Sequence, residues 1–378
     1  MSEYVSGTMP GTVLKSEERN YGIDLLRIVA MLYVVILHAV GPGGILDAAA
    51  EGTVQFKVAW FLETWTYCAV NIFALISEYV SYTDQERRVK WSSYVLLWLQ
   101  VVTYGVAVTL VFNLFHPELV TRADLIRMFL PVTGGLYWYL NAYTGLFVIM
   151  PLLNMGLRKC PVQTLKKVFV VMLLVFSAYE AVVRRMAMSG GYSFAWILIL
   201  YVMGGIVRKC GIGRNLTAAQ AGIGTAVLCL VAWFWRMYGP EFSIRGVWVG
   251  KDIWISYLSP MVLGAALLHV IAFSKLKIGT IGQKIIAFAA PGSFAVYILN
   301  CHWVIWAYMM TAKFAPLAGR PVYILVFWVL VFACAFVVIS ILIDRVRIFL
   351  FELFRVRRIV ERLLGIAEKA VSVIAERI

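Results

Sequence analysis

Charge is scarce in this chain of 378 residues. Charged side chains make up 14% of it, and only 20 residues are acidic. Average soluble domains carry roughly a quarter charged residues, so a soluble multi-domain protein is excluded. Histidine is equally thin, at four residues, and the six cysteines (Cys68, Cys160, Cys210, Cys229, Cys301, Cys334) are scattered in or near apolar stretches. Their spacing fits neither a zinc site nor a disulfide framework, and they read as buried free thiols. A phosphate-cradling Walker loop, a dinucleotide fingerprint, a Gly-x-Ser-x-Gly elbow and a metal-ligand cluster are all missing, so no metal is expected.

What the chain has instead is apolar length. Hydrophobic residues are 62% of the total, and about 20 helical residues cross a hydrocarbon core. Ten candidate spans follow, at roughly 22–40, 54–82, 91–115, 134–155, 168–187, 193–207, 217–237, 253–273, 291–312 and 322–344. The expected fold is an all-α polytopic membrane protein with about ten transmembrane helices. Residues 1–20 form a polar lead, 21–344 the membrane domain, and 345–378 a separate tail. The first span follows a polar, basic stretch and reads as a retained helix, not a removable signal peptide.

The net charge of +14 is distributed by side of the membrane, which argues against a nucleic-acid partner. Of the 34 Lys and Arg residues, 24 fall in the N-terminal segment through Arg27, the even-numbered loops and the C-terminal tail. That bias places both termini in the cytoplasm, and ten spans agree with it. The tail has Val356, Val360, Leu363, Ala367, Ala370 and Ile374 at alternating spacings of four and three, flanked by arginines. This basic amphipathic helix suits anionic lipids of the inner leaflet. The same seam also allows pairing of two subunits into a homo-oligomer.

The stretch YGIDLLRIVAMLYVVILHAVGPGG (21–44) puts Arg27 and His38 in one apolar helix. Ionisable residues inside a membrane mark functional sites. Eleven residues make three turns plus about 20°, so the two share a face about 16 Å apart along the axis. Asp24, three residues before Arg27, is close enough to orient its guanidinium. Such a face runs from a phosphate-binding cation to a deep base. Read singly, Arg27 is an interfacial anchor and His38 a structural hydrogen-bonder.

Arg, ten residues, then His in the first span resembles the signature of the acyltransferase-3 family of integral-membrane O-acyltransferases. RNYGIDLLRIVAMLYVVILHA resembles that family's opening, and NIFALISEYV (71–80) its second-span phrase. GGLYWYLNAYTGLFVIMPLLN (134–154) resembles its Trp-Tyr-Leu segment, and SFAVYILNCHWVIW (293–306) its late Tyr-Leu-Ile-His helix. Two positions depart from the pattern. Glu78 stands where the family usually has Gly, and reads as a snorkelling acid or a partner of Arg87 or Arg88. Asn300 takes the usual histidine position, with His302 two residues later.

The resemblance implies transfer of an acyl group, most simply acetyl, from cytoplasmic acyl-CoA (acetyl-CoA) to a hydroxyl of an extracytoplasmic or membrane-linked glycan or related acceptor. His38 would be the base that accepts the hydroxyl proton. Arg27, oriented by Asp24, would bind CoA phosphate through its bidentate fork. Arg87, Arg88 and Lys90 would hold the nucleotide end. Trp138 and Tyr139 would shape the acceptor pocket, with His302 as a further acceptor-side candidate that is given no catalytic role. His116 and His269 receive no role. The competing reading is a transporter of a small substrate such as an amino acid, since membrane domains of this type are also joined to racemases and proposed to move substrate. Clear Gly- or Pro-broken helices in matching halves would favour that reading, and the sequence shows none.

Overall fold

The computed structural model describes residues 19–83, 90–135, 137–244 and 246–375, and it is 77% helical with almost no sheet. The principal helices are α1 (Tyr21–Val40), α2 (Val54–Thr66), α3 (Ala69–Ser81), α4 (Trp91–Phe115), α5 (Trp138–Lys159), α6 (Val162–Met172), α7 (Phe194–Cys210), α8 (Ala218–Tyr238), α9 (Pro260–Ser274), α10 (Thr280–Ala289), α11 (Ser293–Asn300), α12 (Val322–Leu353) and α13 (Val356–Ala375). A two-stranded hairpin, Phe242–Ile244 paired antiparallel with Val247–Val249, joins α8 to the segment before α9.

Seven stretches among the described residues are long and apolar enough to cross a membrane: Tyr21–Ala48, Val54–Ser81, Trp91–Phe115, Trp138–Lys159, Ala218–Tyr238, Thr280–Asn300 and Val322–Leu353. The chain is a multi-pass membrane protein. The expected count of ten is not reached on that criterion. The three other expected spans form shorter or interrupted helices. Residues 168–187 lie across α6, a π-helical turn at Leu173–Tyr179 and a last helical turn ending at Val183. Residues 193–207 make the 17-residue α7, and 253–273 contribute the 15-residue α9. Continuous hydropathy is blind to such changes of helical winding.

α1 is the axis of the bundle. Asn20 caps it by accepting from the Ile23 amide at 3.0 Å, satisfying a donor that the first turn leaves orphaned. Gly41 closes it, its amide bonding the Leu37 carbonyl at 2.9 Å, and Pro42 follows. Leu26, Ala30, Val35, Ala39 and Val40 are all completely buried, against α3, α9, α11 and α12. α3 and α7 approach closely at Gly204, where a Cβ would run into the Leu75 carbonyl oxygen. Small residues at such contacts let membrane helices pack backbone to backbone.

The basic ends gather on one side. Asn20 Nδ2 donates to the Ser274 carbonyl at 2.9 Å, setting the start of α1 beside the end of α9. Lys275 Nζ then donates to carbonyls of Gly213, Arg214 and Leu216 just beyond α7. Lys209 Nζ donates to Leu157, Arg158 and Cys160 carbonyls at 2.8, 2.8 and 2.9 Å, joining the ends of α5 and α7. Lys209 satisfies carbonyls at the C-terminus of α5 and meets its negative dipole end.

The tail separates later than expected. α12 runs through position 345 to Leu353, and the break falls at Phe354–Arg355, where Arg355 takes φ 52°. α13 then leans on α4 with Val360 buried, while Ile359, Leu363 and Ile366 stay exposed.

Asp344 is wholly buried and accepts from Gln100 Nε2 (3.0 Å), Tyr104 hydroxyl (2.8 Å), Arg347 Nε (2.9 Å) and Arg347 Nη2 (2.8 Å). This network locks α4 to α12. Removing one partner of a buried ion pair costs about 3–5 kcal/mol. Asp344→Ala should therefore lower the midpoint of thermal unfolding of detergent-purified protein well below that of wild type, whereas the exposed Glu361→Ala should leave it unchanged. An unaltered melt for Asp344→Ala would show that the network does not hold these helices.

Candidate active site

His38 lies in the last turn of α1, and its environment comes from the far end of the chain. Its Nδ1 forms a very short hydrogen bond to Asn300 Oδ1. Asn300 ends α11 and is fully buried, with its Nδ2 directed at Met310 Sδ, 3.7 Å away. An amide oxygen facing Nδ1 makes that nitrogen the protonated one, so Nε2 carries the lone pair. Trp306 presents its ring edgewise to the imidazole at 4.9 Å between centroids. The residue that departs from the expected histidine thus orients the His38 ring. Asn300 had no assigned role in the sequence reading, because nothing in its neighbourhood shows that it meets residue 38.

His38 opens onto a cavity of about 560 Å³ at the end of α1 away from Arg27. Trp138 and Tyr139, from the first turn of α5, line it together with His38, Phe73, Tyr297 and Trp306. The remaining wall comes from Tyr67 at the α2–α3 break, Tyr192 before α7, and Tyr257 before α9. Asn71, completely buried, places two of these elements: its Nδ2 donates to the Tyr257 carbonyl at 2.8 Å and its Oδ1 accepts from Trp196 Nε1 at 3.0 Å. A volume of this size suits a small-molecule site, aromatic with few polar groups.

One carboxyl group also lines the cavity. Glu63 of α2 is 7% exposed, and its Oε2 is buried without a hydrogen-bond partner among the described residues. Sequence reasoning passed over it, although a lone acid in an apolar span is the same kind of signal that marked Arg27 and His38.

The other sequence candidates fall elsewhere. Asp24 is 6% exposed and takes Arg19 Nε on Oδ2 at 2.6 Å and Arg27 Nη1 on Oδ1 at 2.8 Å. Arg27 therefore has the expected acidic partner and keeps its side chain 31% exposed, at the opposite end of α1 from the cavity. Lys90 is exposed just before α4, and Arg87 and Arg88 lie outside the described residues. His302 is fully buried but does not line the cavity. It caps the next short helix, accepting from the Val304 amide at 3.4 Å, and stacks on Trp303 at 3.9 Å. His269 is held by Tyr33 and the Ala265 carbonyl, and His116 by Glu118. Glu78 is 1% exposed, so it does not snorkel. It sits in the core near Asn154, whose amide nitrogen, turned to donate, lies 3.2 Å from Glu78 Oε1.

Comparison with known proteins agrees with this architecture. The acyltransferase-3 family model, described as an acyltransferase domain, matches residues 20–345, nearly the whole chain. The chain belongs to that family, and it is a membrane acyltransferase. No curated protein and no solved structure matches it.

Proposed function

We propose that the protein transfers an acyl group, acetyl in the simplest case, from cytoplasmic acyl-CoA to a hydroxyl of an extracytoplasmic or membrane-linked glycan or related acceptor. The observation that carries this reading is the His38–Asn300 pair at the edge of an aromatic cavity, in a chain of an acyltransferase family. An alcohol is a weak nucleophile until a base takes its proton. In the proposed reaction His38 Nε2 accepts that proton as the acceptor oxygen attacks the thioester carbonyl. The tetrahedral adduct then collapses, the C–S bond breaks, and the imidazolium returns the proton to the departing thiolate. Asn300, bonded to Nδ1, would hold the ring and leave Nε2 for the acceptor.

Arg27 would bind a donor phosphate. One of its nitrogens is committed to Asp24, and the side chain retains access to the surface. Lys90, with Arg87 and Arg88, would hold the nucleotide. The topology rests on the excess of Lys and Arg at the Arg27 end and places both termini in the cytoplasm of a cell-membrane protein. α13 would lie along anionic lipid, with its exposed Ile359, Leu363 and Ile366 dipping into the leaflet.

Transport is supported by one feature: helices break beside the cavity at Tyr67–Cys68 and at Cys301–His302, as they do around transporter sites. A base oriented through its distal nitrogen is a requirement of proton transfer and not of passage, which favours catalysis.

Three outcomes test this reading. His38→Ala should lower acyl transfer by about 10²–10⁴-fold and Asn300→Ala by about tenfold or more, with folded protein in both cases. Retention of half the activity in His38→Ala would remove it as the base.

Donor binding separates the ends of α1. Charge-assisted hydrogen bonds contribute about 1.5–3 kcal/mol each, so Arg27→Ala should weaken acyl-CoA binding in nanodiscs at least about tenfold. Arg27→Lys should weaken it less, since the charge survives without the planar fork. His38→Ala should bind donor as wild type does, and the reverse pattern would contradict the division.

Arg88→Cys, in a background lacking the native cysteines, should resist an impermeant maleimide in intact cells and react after permeabilisation. Ready labelling of intact cells would invert the topology.

A further inference from the structure

Glu63 carries the one carboxyl group among the described residues that line the cavity, and no Lys or Arg lines it there. Its carboxylate has no ion pair among the described residues, and its Oε2 is sealed from solvent. A buried carboxylate without a counter-charge is costly, the more so within a membrane. A neutral polyol would supply hydrogen bonds but no counter-charge for the ionised carboxylate.

A second feature adds to the negative potential. A Cβ on Gly41 would lie 3.7 Å from both Glu63 oxygens, so the carboxylate sits against the C-terminus of α1. That terminus carries about half a negative charge from the helix dipole. Carboxylate and helix end repel each other, and a cation between them and the cavity would offset both.

The aromatic lining suits a cation as well. Tyr67, Tyr257, Tyr192 and Trp138 form a continuous run of rings. The Tyr67–Tyr257, Tyr257–Tyr192 and Tyr192–Trp138 centroids are each 4.9 Å apart. Trp138 also stacks on Tyr257 at 6.4 Å. Aromatic faces attract ammonium groups, and clustered rings form cages for them.

We propose that the acceptor carries an ammonium group, seated on Glu63 and this aromatic wall, while a hydroxyl of the same molecule reaches His38. This rests on the acyl-transfer reading and narrows its substrate to an amino sugar or amino alcohol. Gly41 is three residues beyond His38, about 4.5 Å along the helix, so the two acceptor groups belong to one small framework. The site also directs the chemistry. A carboxylate that keeps the amine protonated removes its lone pair, so the acyl group goes to oxygen and the product is an ester, not an amide.

The test is equilibrium binding, by calorimetry on the full-length protein in nanodiscs without acyl-CoA. Two matched pairs serve as probes: glucosamine with glucose, and choline with 3,3-dimethylbutan-1-ol. In at least one pair the ammonium compound should bind about tenfold or more tightly than its neutral counterpart. Glu63→Gln should abolish that preference, and Glu63→Asp should retain most of it. Should Glu63→Gln melt early, Tyr67→Leu offers an independent arm and should reduce the preference by removing a ring. The absence of an ammonium preference in both pairs, including no binding at all, overturns the proposal. So does a preference undiminished in Glu63→Gln. Acyl transfer that proceeds equally well to neutral acceptors sinks the cation site alone, whereas ammonium binding in a protein with no transferase activity sinks only the transfer reading.

Discussion

Inside a bilayer every polar or charged group must find its partner within the protein, because no water is present to compete. The polar interior of this chain is organised by that constraint. Asp24 holds two arginines at the entrance of α1, Asp344 takes four donated bonds from α4 and α12, and Asn71 ties α3 to Trp196 and to the Tyr257 backbone. These groups are saturated and hold helices in register. Glu63 and His38 are different: both line a cavity, and Glu63 Oε2 has no hydrogen-bond partner among the described residues.

α1 separates two tasks by length. Its second turn carries the partly exposed guanidinium of Arg27, braced by Asp24, on the side where basic helix ends collect. Its last turn carries His38 into an aromatic cavity closed by α5 and by the segments before α7 and α9. The packing that fixes this arrangement is apolar and tight, with Leu26, Ala30, Val35 and Ala39 fully enclosed. In the proposed reaction, a rigid spacer of this kind would let a long donor be gripped at its charged end while its reactive end meets His38.

Much of this could be read before the structure was known, for reasons that differ from residue to residue. Arg27 and His38 were legible because a helix converts an eleven-residue spacing into a shared face, and Asp24 because three residues is contact distance on that face. Trp138 and Tyr139 were legible as part of a family phrase, and both line the cavity with His38. Asn300 was not, because its contact with His38 spans 262 positions and depends on how α11 ends. Tyr67, Tyr192 and Tyr257 come from a helix break and two connections, where periodicity says nothing about direction. The span count differed because the π-helical turn after α6 and the short α7 and α9 look continuous in hydropathy alone. His302 had the right chemistry, but its chain direction after Cys301 turns it against Trp303.

The central claim is that the acyl group enters at the Arg27 end of α1 and leaves at the His38 end. Sealed right-side-out vesicles from cells expressing the protein, loaded with radiolabelled acetyl-CoA, test it most directly. The account predicts label in outward-facing, hydroxylamine-labile esters with wild-type protein and none above background with His38→Ala. Label that appears only when the donor is supplied outside, or that is equally strong with His38→Ala, would contradict it.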